Sequence, residues 1–133
     1  MKQKAGFTTE LIVRQIDEEK RTWALEAPLE YFSPFIDELI IAPTGFITDF
    51  ASVPRVPIAY TFYGNRAHRE SVLHDWLYQT HKTGKEVADK IFLEAMGARK
   101  KPLWVRWPMY LAVRWGGSSA YKTGKERFKV LGN

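Results

Sequence analysis

The run His74-Asp75-Trp76-Leu77-Tyr78 places a base, an acid and a phenol close together in the chain. With Ser71 added, the polar members His74, Asp75 and Tyr78 fall at i, i+3, i+4 and i+7, which on a helix is one stripe. Leu73, Trp76 and Leu77 are apolar neighbours able to shield it. A histidine in such a partly dry setting is suited to general-base work near neutral pH, provided a carboxylate fixes its tautomer. Asp75 is badly placed for that task, because adjacent helical side chains point about 100° apart. Asp89 is better placed if the next helix folds back antiparallel across the short connection at residues 82–84. Asp49, from a proline-rich segment earlier in the chain, is a second candidate. The chemistry these residues suit is hydrolysis of an ester or amide bond. His74 would act as the base and Asp89 or Asp49 as its orienter. Asp75 and Asp49 would be available to a metal, and Tyr78 would fix the helix or donate a hydrogen bond.

A second account of the same residues stays open. His74 is also a reasonable core histidine, its nitrogens satisfied by Asp49 or a backbone carbonyl, with Tyr78 bonded to a strand. Asp49, beside Thr48 and before Ser52, fits a turn cap. Asp89 falls in the second turn of a helix, where the dipole favours a negative charge. His68 lies seven residues before Asp75 and His81 seven after His74, so calcium or zinc is a conceivable cofactor. No histidine pair has the i, i+4 spacing of a zincin helix.

The elements that must position these groups read as strands first and helices after. Residues 7–13, 22–25, 29–32 and 38–42 are β-prone runs separated by turn residues, which suggests an antiparallel meander. Residues 44–57 form an apolar linking segment whose prolines, Pro54 and Pro57, bar a regular helix. Asn65 can cap a helix over 66–80. Thr83 and Glu86 have capping-box spacing and open a second helix that Gly97 can close. Pro102 suits the start of a third, ended by Gly116-Gly117, with Pro108 placed to kink or divide it. On that third helix Trp104, Trp107, Leu111 and Trp115 share one face, and Arg106, Tyr110 and Arg114 another. The spacing favours core packing for the tryptophan face, with a docking surface as the alternative. The fold expected is α+β: one domain over 1–133, strands about 7–50 and helices about 66–128. A small antiparallel sheet would pack against three or four helices. The string Lys-Thr-Gly-Lys-Glu occurs at 82–86 and again at 122–126. Neither copy has the glycine spacing of a phosphate-binding loop, so both read as helix-starting devices.

Bulk properties fit one ordinary domain: 133 residues, 45% apolar and 26% charged. The absence of cysteine excludes disulfides, thiolate metal sites and a Cys nucleophile. Residues 1–65 carry six Lys/Arg against nine Asp/Glu, whereas 66–133 carry fourteen against six. A basic helical half can serve nucleic acid, an anionic membrane or an acidic partner, or be a solvated face. No named nucleic-acid motif is present. No apolar run reaches the ~20 residues of a membrane span, and no secretion signal follows Met1, so cytoplasmic residence is expected.

Taken together, Thr48-Asp49-Phe50-Ala51-Ser52-Val53-Pro54-Arg55, then His74 to Tyr78, then Ala88-Asp89 with Phe92, Ala95 and Met96, then Tyr110 to Arg114 resemble a phage and prophage family. That family is catalogued as domain of unknown function 1353, and the resemblance covers roughly residues 25–121. It implies a small phage-encoded protein, resident in the host-cell cytoplasm or in the virion, whose partners are other phage proteins or a host protein. Three roles fit it: a hydrolase, a non-catalytic virion, tail or assembly component, and an inhibitor of a host protein. The pattern His74, Asp75, Tyr78 with the later Asp89 is also similar to the active-site helix of phospholipase A2. That similarity implies His74 as activator of water, Asp89 as its orienter and Asp75 as a calcium ligand. The chain departs from it in having no cysteine and no glycine-rich loop beyond Gly45 in residues 45–49.

Overall fold

The structure, a computed structural model, describes residues 3–19, 22–48, 68–116, 118 and 120–123. The strands are β1 (Gly6–Phe7), β2 (Val13–Asp17), β3 (Thr22–Leu25), β4 (Leu29–Ser33), β5 (Glu38–Ala42) and β6 (Ile47–Thr48). They form two three-stranded antiparallel sheets, β1-β4-β5 and β2-β3-β6. The α+β class holds, but a single meander does not. The expected strand at 7–13 is divided, with its two ends in different sheets. The break follows Thr8, at Thr9, whose side chain and not its backbone binds β4. The Thr8 amide donates to the Glu30 carbonyl at 3.0 Å, and the Thr9 hydroxyl accepts from the Glu30 amide at 2.9 Å. The Thr9 hydroxyl thus takes the Glu30 amide that a backbone carbonyl would take in a continuing ladder.

Alternation along β4 buries Leu29, Tyr31 and Ser33 and leaves Glu30 and Phe32 half-buried, so one face of this strand points into the core. The entry to β6 needs Gly45, whose φ of +90° is costly for a residue with a Cβ. Its amide donates to the Leu25 carbonyl at 2.8 Å, and the Leu25 amide to the Phe46 carbonyl at 2.9 Å. Pairing of Trp23 with Thr48 then delivers the Thr48 hydroxyl to the helix beneath.

Among the described residues three helices follow, α1 (His68–Thr80), α2 (Lys85–Ala98) and α3 (Leu103–Gly116), and residues 118 and 120–123 are helical as well. Helix α1 is the centre of the molecule. Residues 70–75 and 77–79 are all buried, so it has neighbours on every side. Leu73, Leu77 and Tyr78 pack with Tyr31 and Ile40 of the first sheet and with Ala88, Ile91 and Ala95 of α2. Val72 joins Leu25, Leu29, Ala42 and Phe46 on another side. Helix α2 has a second apolar face, where Phe92 and Met96 meet Val105, Met109 and Val113 of α3.

Several expectations for the helices need correction. The capping box is not formed: Gly84 occupies the cap position of α2, and the Thr83 hydroxyl donates instead to the Gly84 carbonyl at 3.1 Å. Gly97 does not close α2 but lies inside it. The chain turns at Arg99 and at Lys100, whose φ is +61°. Gly97 serves packing, since a Cβ there would lie 2.7 Å from Arg106 Nη1. Pro102 precedes α3, its carbonyl accepting from the Val105 and Arg106 amides at 3.0 Å. Pro108 is accommodated within one continuous helix. The expected core role of the tryptophan face is reversed. Val105, Met109 and Val113, at i, i+4 and i+8, fill the contact with α2. Trp104, Trp107, Leu111 and Trp115 point outward at 49, 46, 36 and 80% exposure. The expected Asn65 cap, most of the proline-rich linker and Asp49 lie outside the described residues.

Candidate functional site

Asp89 sits in the second turn of α2 with its side chain wholly buried, and four donors converge on it. His74 Nε2 lies 2.7 Å from Oδ1, and the Tyr78 hydroxyl donates to the same oxygen at 2.5 Å. Lys85 Nζ donates to Oδ2 at 2.8 Å and Arg114 Nη1 at 3.1 Å. The fold brings these donors together in simple steps. His74 and Tyr78 are one turn apart on α1, Lys85 is one turn before Asp89 on α2, and Arg114 is in the last turn of α3. Lys85 Nζ also donates to the Val113 and Arg114 carbonyls at 2.9 and 3.0 Å. A cation against the end of α3 is favoured by that helix's dipole. One carboxylate therefore ties all three helices together.

The electrostatics assign protons. Burial alone would raise the Asp89 pKa, but hydrogen bonds from His74, Lys85 and Tyr78 outweigh it and hold the carboxyl at about 2. For His74 burial prevails over the attraction of Asp89 and lowers the pKa, so the ring is neutral near pH 7. An ionised carboxylate can only accept, so the His74 proton resides on Nε2 and Nδ1 carries the lone pair. Burial, then Asp89, raises the pKa of the Tyr78 phenol and keeps it protonated.

Asp75 faces a different neighbour. Its Oδ2 accepts from the Thr48 hydroxyl at 2.5 Å and from Gln79 Nε2 at 3.1 Å. Among the candidate residues, His74, Tyr78 and Asp89 are thus brought together, while Asp75 belongs to a second, buried cluster that joins β6 to α1. Asp49 follows Thr48 in the chain but lies outside the described residues, as does the side chain of His68. His81 Nε2 pairs with the Tyr121 carbonyl at 2.6 Å, with the two rings stacked at 4.0 Å. Among the described residues no three His, Asp or Glu side chains gather around a common point that could hold the calcium or zinc considered above.

Sequence reasoning missed three partners. Lys85 was within reach of it, since Lys85 and Asp89 have the i, i+4 spacing of a helical ion pair. Arg114 carried no such signal, because its place depends on how α3 crosses α2. Glu70 was missed too: it is buried in α1 and paired with Lys101, with Arg99 Nε 3.7 Å away. Lys101 belongs to the basic half that could be a solvated face, yet it is buried. Tyr31, whose hydroxyl donates to Glu94 at 2.8 Å, fastens β4 to α2 in the same manner.

These features define an α+β protein whose central helix supplies a histidine and a tyrosine to a buried aspartate. Its family is that described as protein of unknown function (DUF1353): the family model matches residues 23–113, and the chain belongs to it. The match takes in Thr48, His74, Asp75, Tyr78, Lys85 and Asp89 and ends one residue before Arg114. No curated protein and no solved structure matches the chain.

Proposed function

We propose that this protein is a non-catalytic docking component, in which the Asp89 cluster locks the three helices so that the outer face of α3 is presented to a partner. One observation carries the reading. His74, Asp75 and Asp89 have no solvent exposure, whereas Trp104, Trp107, Leu111 and Trp115 have a great deal. A general base must reach its substrate, and a docking face must be open. Arg114 and Lys85 link the two regions, since both bind Asp89 and both lie against the end of α3. A virion, tail or assembly part is the form of this reading that fits the phage resemblance.

A second reading, hydrolysis of an ester or amide bond, is favoured by the 2.7 Å contact of His74 with Asp89. A neutral ring oriented through Nε2 keeps Nδ1 as its basic atom, the state a general base requires. The two readings part in a nitrogen-resolved NMR titration of His74 from about pH 5 to 8, with and without added calcium or zinc. The docking reading expects the ring to take up its proton at lower pH than an ordinary imidazole, indifferent to metal. A ring that titrates near neutrality in the folded protein and responds to metal would overturn it in favour of hydrolysis.

A further inference from the structure

The outer face of α3 combines two features that together specify a partner. Its apolar stripe is Trp104, Trp107, Leu111 and Trp115, with Leu103 also exposed at its start. Residues 95–125 contain seven Lys/Arg and no Asp or Glu. Some of these cations are used internally: Lys101 by Glu70 and Arg114 by Asp89. Lys100 and Lys122 are exposed and Arg99 is partly so, which leaves positive charge on both flanks of the helix in the chain.

Resting on the docking reading above, we infer that the outer face of α3 binds the surface of an anionic lipid bilayer, its indoles in the headgroup region and the flanking Lys and Arg on lipid phosphates. The residue type argues for this. Tryptophan has an apolar body and one N–H donor, and it concentrates at the boundary between hydrocarbon and water. Packing fixes the orientation. The inner side of α3 stays packed on α2 through Val105, Met109 and Val113, so only its outer face can meet the bilayer and α3 lies along the surface. No described helix is long and apolar enough to cross a membrane. Charge argues against this face pairing with the same face of a second copy, since residues 95–125 have no acid to offer their own cations. An anionic bilayer provides the missing counter-charge, since its surface potential attracts Lys and Arg held near it.

The test uses the full chain with vesicles of phosphatidylcholine alone or with about 30% phosphatidylglycerol. Binding is read by co-sedimentation and by tryptophan emission. The expected result is at least ~10-fold stronger partition onto the anionic vesicles with a blue shift, and loss of both in Trp107→Ser/Trp115→Ser. Neither position belongs to the Asp89 cluster, and a thermal melt of the variant confirms that it folds. Binding that salt abolishes but the tryptophan substitutions leave unchanged would overturn the inference, because adsorption would then belong to the basic residues alone. Absence of binding to either vesicle would overturn it as well. Sedimentation equilibrium separates that failure from failure of the docking reading. A dimer that the same substitutions dissolve would keep α3 as a docking face while replacing lipid by a second copy. A His74 ring that titrates near neutrality in the fold and responds to metal removes the docking reading itself.

Discussion

Asp89 carries one negative charge and receives two formal positive ones, from Lys85 and Arg114, so replacing it leaves cations that have lost their counter-charge. Asp89→Asn keeps the shape and removes the charge. It should cost about 3 kcal/mol, the lower end for breaking a buried pair, because Lys85 and Arg114 are 18 and 31% exposed and keep some water. That corresponds to a melting temperature about 10 °C lower, measurable by circular dichroism. The pH dependence has a definite sign. Asp89 ionises at about 2 in the fold against an ordinary 3.8, so its contribution, on the order of 2 kcal/mol, is complete above pH 4 and lost as pH falls toward 2. His74 is held below its ordinary 6.5, so the unfolded chain takes up that proton first and stability begins to decline once pH drops under 6.5. Denaturant midpoints should therefore be level above pH 7, decline gently from 6.5 and decline steeply below 4. Midpoints that rose on acidification from pH 7 to 5 would show that His74 is stabilised as the imidazolium. At this scale the contact of His74 with Asp89 was legible, because two helices joined by a short turn must run antiparallel. Arg114 was not, because nothing local encodes the crossing of α3.

The helices are held at their ends as well as along their faces. Glu70, near the start of α1, is paired with Lys101 in the link from α2 to α3, and both side chains are buried. Lys101→Met should destabilise by about 3 kcal/mol, since it strands a buried carboxylate whose other cation among the described residues, Arg99, is 3.7 Å away. Adding Glu70→Leu should restore most of that loss, because an apolar pair of similar volume avoids the desolvation cost of both ions. A full thermodynamic cycle of melts measures the coupling, and additive effects would mean that the pair contributes nothing jointly. Element types were readable from the sequence because apolar spacing and proline placement constrain the backbone directly. What the elements face was less readable. Trp104 and Trp107 have the spacing of a core stripe, but Val105, Met109 and Val113 have it too, and only the shape of the α2 surface decides between them. Gly97 misled for a related reason, as its missing Cβ makes room for Arg106 and does not end the helix.

Across the molecule, the three apolar clusters are joined in series. Helix α1 contributes to the two that include the sheets, α2 connects α1 to α3, and α3 meets α2 through a cluster of its own. Strand β2 lies at an edge with Arg14, Gln15 and Ile16 exposed. This arrangement predicts a gradient in amide hydrogen exchange. Amides at 72–79 in α1 should exchange only through global unfolding, and those of β2 by local opening at least ~100-fold faster. Helix α3 should behave as a separable unit, because its attachment is one apolar face plus Arg114 and Lys85 on Asp89. In Asp89→Asn the exchange of α3 should therefore accelerate more than that of β4, whose link to α2 runs through Tyr31 and Glu94 and does not involve Asp89. Equal acceleration in both would mean that the helices unfold as one cooperative body. Selective loosening of α3 would show that the buried aspartate governs the presentation of the tryptophan face.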